Sequence, residues 1–215
     1  MNTVLRREDG IALLVAIMAT LLLTALAGAM VLTTTSETII AANFRRAAEE
    51  LYAADAGLER IIDELRSVPD WNAVRLGLVR SSFVDGPPSG LRTLPDGSTI
   101  DLSQIVNLAN CEKTVSCTDS EMNAVTPDRP WAAANPHWVL TGYTPFGVLL
   151  TAGAGNSTIY LVILAAASPG PGDPAVETLA LRAEAFGSRG GHKVIEAALA
   201  RTDAGVRLLS WRTVR

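Results

Sequence analysis

Hydrophobic residues are massed near the start of the chain. From Ile11 to Ser36 no residue carries a charge, and Ile11–Leu32 is apolar apart from Thr20 and Thr24. About 22 residues at about 1.5 Å each make a helix of about 33 Å, the thickness of a bilayer's hydrocarbon core. A helix of a soluble core would show a polar face over that length, and this one shows none. Beyond it the pattern turns amphipathic. Ile40, Phe44, Ala47, Leu51, Ala54, Leu58, Ile61 and Leu65 advance by alternate fours and threes, which predicts one apolar stripe on a helix. The opposite faces carry Arg45, Arg46, Glu49, Glu50, Glu59, Arg60, Asp63 and Glu64. Arg45–Glu49, Arg46–Glu50 and Arg60–Glu64 stand one helical turn apart, where an ion pair adds about 0.2–0.5 kcal/mol. Pro69 stops the pattern. The spacing therefore predicts a single helix over residues 11–66, about 80 Å long, with a transmembrane segment at 11–32.

Residues 67–215 read as a globular domain in two parts. Over 69–136, Gly86–Gly90, Leu94–Gly97 and Thr126–Pro130 mark turns, so this stretch reads as loops with one short helix near Leu102–Leu108. Such loops are where partner contacts are commonly built. Over 138–214 the period shortens to two. Trp138–Tyr143, Ser157–Ala166, Glu177–Phe186, Lys193–Arg201 and Val206–Val214 read as strands, with Pro169–Pro174, Ser188–Gly191 and Thr202–Gly205 as the breaks. In Glu177–Phe186, Leu179, Leu181, Ala183 and Ala185 share one face and Arg182 and Glu184 the other. The fold class is α+β, a long N-terminal helix packed on a C-terminal antiparallel sheet.

Composition changes this picture little. The chain is 48% hydrophobic and 5% aromatic, with a net charge of −4. No basic stripe exists, which argues against a nucleic-acid partner. Arg6 and Arg7 would serve as the basic region of a secretory signal, but the apolar run exceeds the 7–15 residues usual for one. Arg45 and Arg46 follow the span as Arg6 and Arg7 precede it, so positive charge alone does not orient it. Ala12, Ala16, Thr20, Thr24 and Gly28 recur every four residues, a spacing of small side chains that lets a second helix approach closely in lipid. Ordinary alanine and threonine usage in a membrane span reads equally well.

Cys111 and Cys117 have five residues between them in a polar stretch. Outside the cytoplasm they suit a short-loop disulfide; otherwise they are two thiols without a specific role. His137 and His192 lie far from them in sequence, so no metal set forms. Gly153-Ala-Gly155-Asn156 lacks the rest of a dinucleotide fingerprint and reads as a loop. His137 reads as a loop or strand-edge histidine. Asp128 and Asp173 sit in proline-rich turns as caps, and no cofactor is expected there beyond a loop calcium ion, which those oxygens would suit. Trp71, Trp131, Trp138 and Trp211 read as core or loop anchors. No catalytic constellation stands out, so the chain reads as a non-enzyme.

Two blocks carry a resemblance. Arg6-Arg7-Glu8-Asp9-Gly10 before Ile11-Ala12-Leu13-Leu14-Val15 resembles a short prepilin leader, residues 1–10, ending in glycine. Ala41-Ala42-Asn43 followed by Ala53-Ala54-Asp55-Ala56-Gly57-Leu58-Glu59 is similar to the Ala-Gly-Asn … Ala-Ala-Glu-Ala-Gly-Leu-Glu pattern of the PilX family of type IV pilus assembly proteins. The resemblance covers about the first 60 residues. It implies cleavage between Gly10 and Ile11 by a prepilin peptidase, with methylation of the new amino terminus. It also implies packing against other pilins or pseudopilins through the N-terminal helix, and contact with membrane lipid and the inner-membrane assembly machinery. The place it implies is the inner membrane, single-pass with the globular domain outside the cytoplasm, or a surface pilus. Most pilins carry glutamate at the fifth mature position; here Val15 stands there, a loss shared with PilX-like proteins and K-type pseudopilins of type II secretion. Asp9 beside the cleavage glycine is a second departure. A tip or initiating minor pilin is the function this implies. A type II secretion pseudopilin and a single-pass anchored binding or adhesin module are the alternatives.

Overall fold

The computed structural model describes residues 9–94, 96–150, 157–168 and 176–214. Helix α1 runs Asp9–Leu65. The chain divides into two compact units, Met1–Arg45 and Arg46–Arg215, so α1 contributes to both. The first unit consists, among its described residues, of helix alone.

The second unit is built on a five-stranded antiparallel sheet in sequence order: β3 Val139–Pro145, β4 Tyr160–Ala167, β5 Glu177–Phe186, β6 His192–Thr202 and β7 Gly205–Val214. The strands expected from period-two patterning are all present, with ends shifted by at most three residues. β4 is an unbroken apolar run because both of its faces are covered. Leu161, Ile163 and Ala165 join Leu179, Leu181, Ala183, Ala185, Ile195, Ala197 and Leu199 against Ala53, Ala54, Leu58, Ile61 and Leu65 of α1. Tyr160, Val162, Leu164 and Ala166 face the other way, onto Leu94, Leu102, Ile105, Ala109, Trp138 and Leu140. Full burial of each large aliphatic side chain removes enough apolar surface to contribute about 1.5–3 kcal/mol before entropy is counted.

The second layer contains the short helix expected near Leu102–Leu108 and corrects the rest of the reading of residues 69–136 as loops. They hold α2 Trp71–Arg75, a hairpin of β1 Leu91–Thr93 and β2 Thr99–Asp101, α3 Leu102–Cys111 and α4 Asp119–Met122; a one-turn α5 Phe146–Leu149 follows β3. α3 starts where Asp101 accepts from the Ser103 and Gln104 amides at 2.8 and 3.4 Å, satisfying amides that a helix start leaves unpaired. Its buried Asn110 then pairs with Trp138 as a strand residue would: Nδ2 donates to the Trp138 carbonyl at 2.9 Å, and the Trp138 amide donates to Oδ1 at 2.7 Å. Cys111, the last residue of α3, forms a disulfide with Cys117.

The last carbonyl of α1 is satisfied from outside the helix. Trp71, fully buried, donates from Nε1 to Leu65 O at 3.2 Å. Arg201 stacks over the Trp71 ring at 4.6 Å, donates to Leu65 O at 3.3 Å, Pro69 O at 2.7 Å and Val68 O, and pairs with Glu177 at 3.1 Å. α1 has no basic residue in its last turn, so Arg201 supplies from a strand the positive charge favoured at a helix C-terminus.

The candidate membrane and assembly helix

Every described residue from 10 to 41 is exposed. Gly10–Leu65 is long and apolar enough to cross a membrane, its most apolar eighteen-residue stretch having a mean hydropathy of 2.5 with none of it buried. Leu13, Leu22 and Leu32 are 64%, 72% and 72% exposed. Such a surface in water would be a liability of the kind proteins normally hide.

The threonine hydroxyls of this segment are satisfied within the helix. Thr20 Oγ1 donates to Ile17 O at 2.9 Å, and Thr24 Oγ1 to Thr20 O and Leu21 O at 2.9 Å each. Thr33, Thr34, Thr35 and Thr38 donate to the carbonyls four residues back at 2.8–3.0 Å. A hydroxyl bonded to its own helix exposes no unpaired donor to hydrocarbon, where no water can take it. Ala12, Ala16, Thr20, Thr24 and Gly28 are all exposed, and nothing lies within 4 Å of where a Cβ on Gly28 would stand. Gly10 is equally open. Ile11 begins the apolar surface at 68% exposure. Leader residues 1–8 lie outside the described residues, as do the Gly153–Asn156 loop and the Pro169–Pro174 break with Asp173.

The motif block does a different job. Ala53, Ala54, Gly57 and Leu58 are buried on the sheet, while Asn43, Ala56 and Glu59 are exposed. A Cβ on Gly57 would stand 3.0 Å from Leu161 Cδ1 and 3.3 Å from Ile163 Cδ1. The small residues thus set the distance of closest approach between α1 and β4. Gly57→Leu is expected to destabilise the protein by about 1–3 kcal/mol through overpacking. Gly57→Ala should be close to neutral, because about 1 kcal/mol of helix propensity offsets the tight contact. Paired thermal melts check this; an unchanged melting temperature for the leucine variant would refute the close fit.

The amphipathic stripe holds from Ala54 to Leu65, but Ile40 and Phe44 are 67% and 77% exposed. Arg60 pairs with Glu64 at 3.3 Å as its spacing implies. Glu50 corrects the sequence reading. Placed with the polar face, it is only 5% exposed. Its carboxylate lies against Gly187 and Gly191, where a Cβ would meet Oε1 at 2.2 and 1.8 Å. Burial raises its pKa, outweighing the lowering influence of Lys193, His192 and Arg46. A carboxylate whose pKa is raised on folding contributes stability below its ordinary pKa and loses it as pH rises through the raised one. Glu50→Gln should therefore melt higher than the parent at pH 8 and level with it at pH 4. Equal melting at both values would show that the carboxylate is not buried as described.

The outer face of the sheet holds a charge ladder. Glu196 bridges Arg182 at 2.9 Å and Arg212 at 2.6 Å; Glu184 bridges Arg182 at 2.6 Å and His192 at 2.9 Å. Burial pushes Glu184 up, but the His192 hydrogen bond and the Arg182 guanidinium more than offset it, holding its carboxyl below the usual range. Arg182, Glu196 and Arg212 of the ladder line a cleft of about 740 Å³ together with Leu108, Arg129, Trp131 and Trp138. Arg129, 6% exposed, is a staple: it donates to Ala109 O at 2.6 Å, Met122 O at 2.7 Å and Pro136 O at 3.2 Å.

The remaining candidates stay apart. Cys111 and Cys117 are half-buried and bonded to each other. His137 is exposed, 3.0 Å from Asn123 Oδ1. Asp128 is exposed, and among the described residues no three His, Cys, Asp or Glu gather as metal ligands. Trp71 and Trp138 are core residues, whereas Trp131 and Trp211 are 36% and 44% exposed. No family model, no curated protein and no solved structure matches this chain.

Proposed function

We propose that this chain is a minor pilin of the PilX type that helps initiate or tip a type IV pilus, without catalysis. The observation that carries the reading is the helix over residues 10–41. It is exposed along its length and apolar from Ile11 to Leu32 but for two threonines, and its threonine hydroxyls bond back to its own carbonyls. That is a surface suited to lipid first and to sister helices afterwards. On this reading the helix holds the subunit in the inner membrane with the globular unit outside the cytoplasm. Assembly machinery then draws it into a bundle of pilin helices, with Ala12, Ala16, Thr20, Thr24 and Gly28 at the closest contacts. Val15 leaves no carboxylate at the fifth mature position, which suits a subunit with none above it. The same feature suits a K-type pseudopilin of type II secretion, and the genes beside this one distinguish the two uses.

Intact-mass analysis of the membrane-bound chain tests the reading. Cleavage after Gly10 by a prepilin peptidase gives a chain starting at methylated Ile11. A chain cut near residue 30, or one recovered whole beside a processed control pilin, would contradict it.

A further inference from the structure

We propose that strand β7 receives an extended strand of a partner protein, one carrying carboxylates four residues apart on the face away from α1. Two strands bound the sheet, and they are treated differently. At β3 the edge is occupied: the Ser81 amide donates to Thr141 O at 2.9 Å, Tyr143 to Phe83 O at 3.2 Å and Asp85 to Tyr143 O at 2.9 Å. β7 pairs with β6 and with no other strand among the described residues. Half of the backbone groups of such an edge point outward, ready to pair. Beside them Leu208, Leu209 and Trp211 are 47%, 52% and 44% exposed, an apolar border of the kind added strands use.

Charge selects the occupant. β7 carries Arg207 and Arg212 and no carboxylate. The residues of β6 opposite them are Ala200 and Glu196, four apart, because the bulge between Ala198 and Leu199 absorbs one residue of β7. Glu196 already meets Arg212 at 2.6 Å on that side. A strand on the open side in the same register presents its residues i and i+4 to the two arginines, and acidic side chains there gain cross-strand pairing. A second copy of β7 is the poorer occupant. The register that centres two copies on Leu209 and Ser210 sets Arg207 of each against Arg212 of the other, and like charges directly opposite destabilise a pair. The inference stands apart from the pilin reading, since it uses only the globular unit.

The test uses the full-length chain in detergent micelles and the peptide Thr-Glu-Val-Thr-Val-Glu-Val-Thr, with a counterpart in which both glutamates are lysine. At low salt the glutamate peptide should bind about tenfold tighter than the lysine peptide and slow amide exchange across residues 205–214. Arg207→Gln, which leaves the Glu196 ladder intact, should shrink that ratio about threefold. N-methylation of alternate peptide amides should abolish binding. Equal affinity of the two peptides, protection elsewhere than β7, or self-association that protects β7 without peptide would each overturn the proposal.

Discussion

Met18→Arg combined with Leu22→Arg is expected to release the chain from membranes. Both positions lie near the middle of Ile11–Leu32 and are 58% and 72% exposed, so no neighbouring side chain in the structure would shelter the new charges. Each arginine near the centre of a span costs about 2.5–3.5 kcal/mol on the insertion scale, about 5–7 for the pair. Leucine and its like contribute only about 0.3–0.6 each, and this span is diluted by alanine, threonine and glycine. The double variant should move from the carbonate-resistant membrane fraction to the extractable one. The parent and a Met18→Leu/Leu22→Ile control should stay. Retention of the double variant would mean that residues 11–32 are not what holds the chain to lipid.

The second large effect falls on stability. Trp71→Ala should cost about 3–5 kcal/mol, the usual range for truncating a buried aromatic. The cost has three sources at this site: a fully buried ring, the hydrogen bond from Nε1 to the last turn of α1, and the platform on which Arg201 stacks. For a unit of this size each kcal/mol moves the melting temperature by about 2–4 °C, so a drop of about 10 °C is expected. Trp211→Ala is the matched control. Its ring is 44% exposed and donates to Asp55 Oδ1 at 3.2 Å, and its loss should move the melt by about 2 °C or less. Circular dichroism melts of the two variants in the same detergent decide the matter, and equal shifts would contradict the assignment of Trp71 to the core.

The parts legible in the sequence are those in which a local repeat meets one large partner surface. A sheet covered on the α1 face forces alternation on β5 and β6, and the alternation of Leu179, Leu181, Ala183 and Ala185 with Arg182 and Glu184 reports it directly. The apolar span is legible because it needs no partner within the chain. Glu50 was hidden because its burial depends on Gly187 and Gly191, far along the chain, and nothing in α1 marks it out from Glu49. The glycines at both ends of the β5–β6 connection were a signal, since close approach of a side chain is one reason for glycine in a loop. Arg129 was hidden for a related reason. A lone arginine between prolines looks like solvated loop until three carbonyls from separate segments converge on it. The β1–β2 hairpin has strands of three residues, too short for a period of two to register.

Flotation of the purified full-length protein with liposomes tests the central claim most directly, that residues 11–32 form a lipid-embedded helix. After detergent removal the chain should rise with the vesicles through a density gradient and stay with them in high salt, since apolar burial is indifferent to ionic screening. A chain that remains at the bottom of the gradient, monomeric and soluble without detergent, would contradict it.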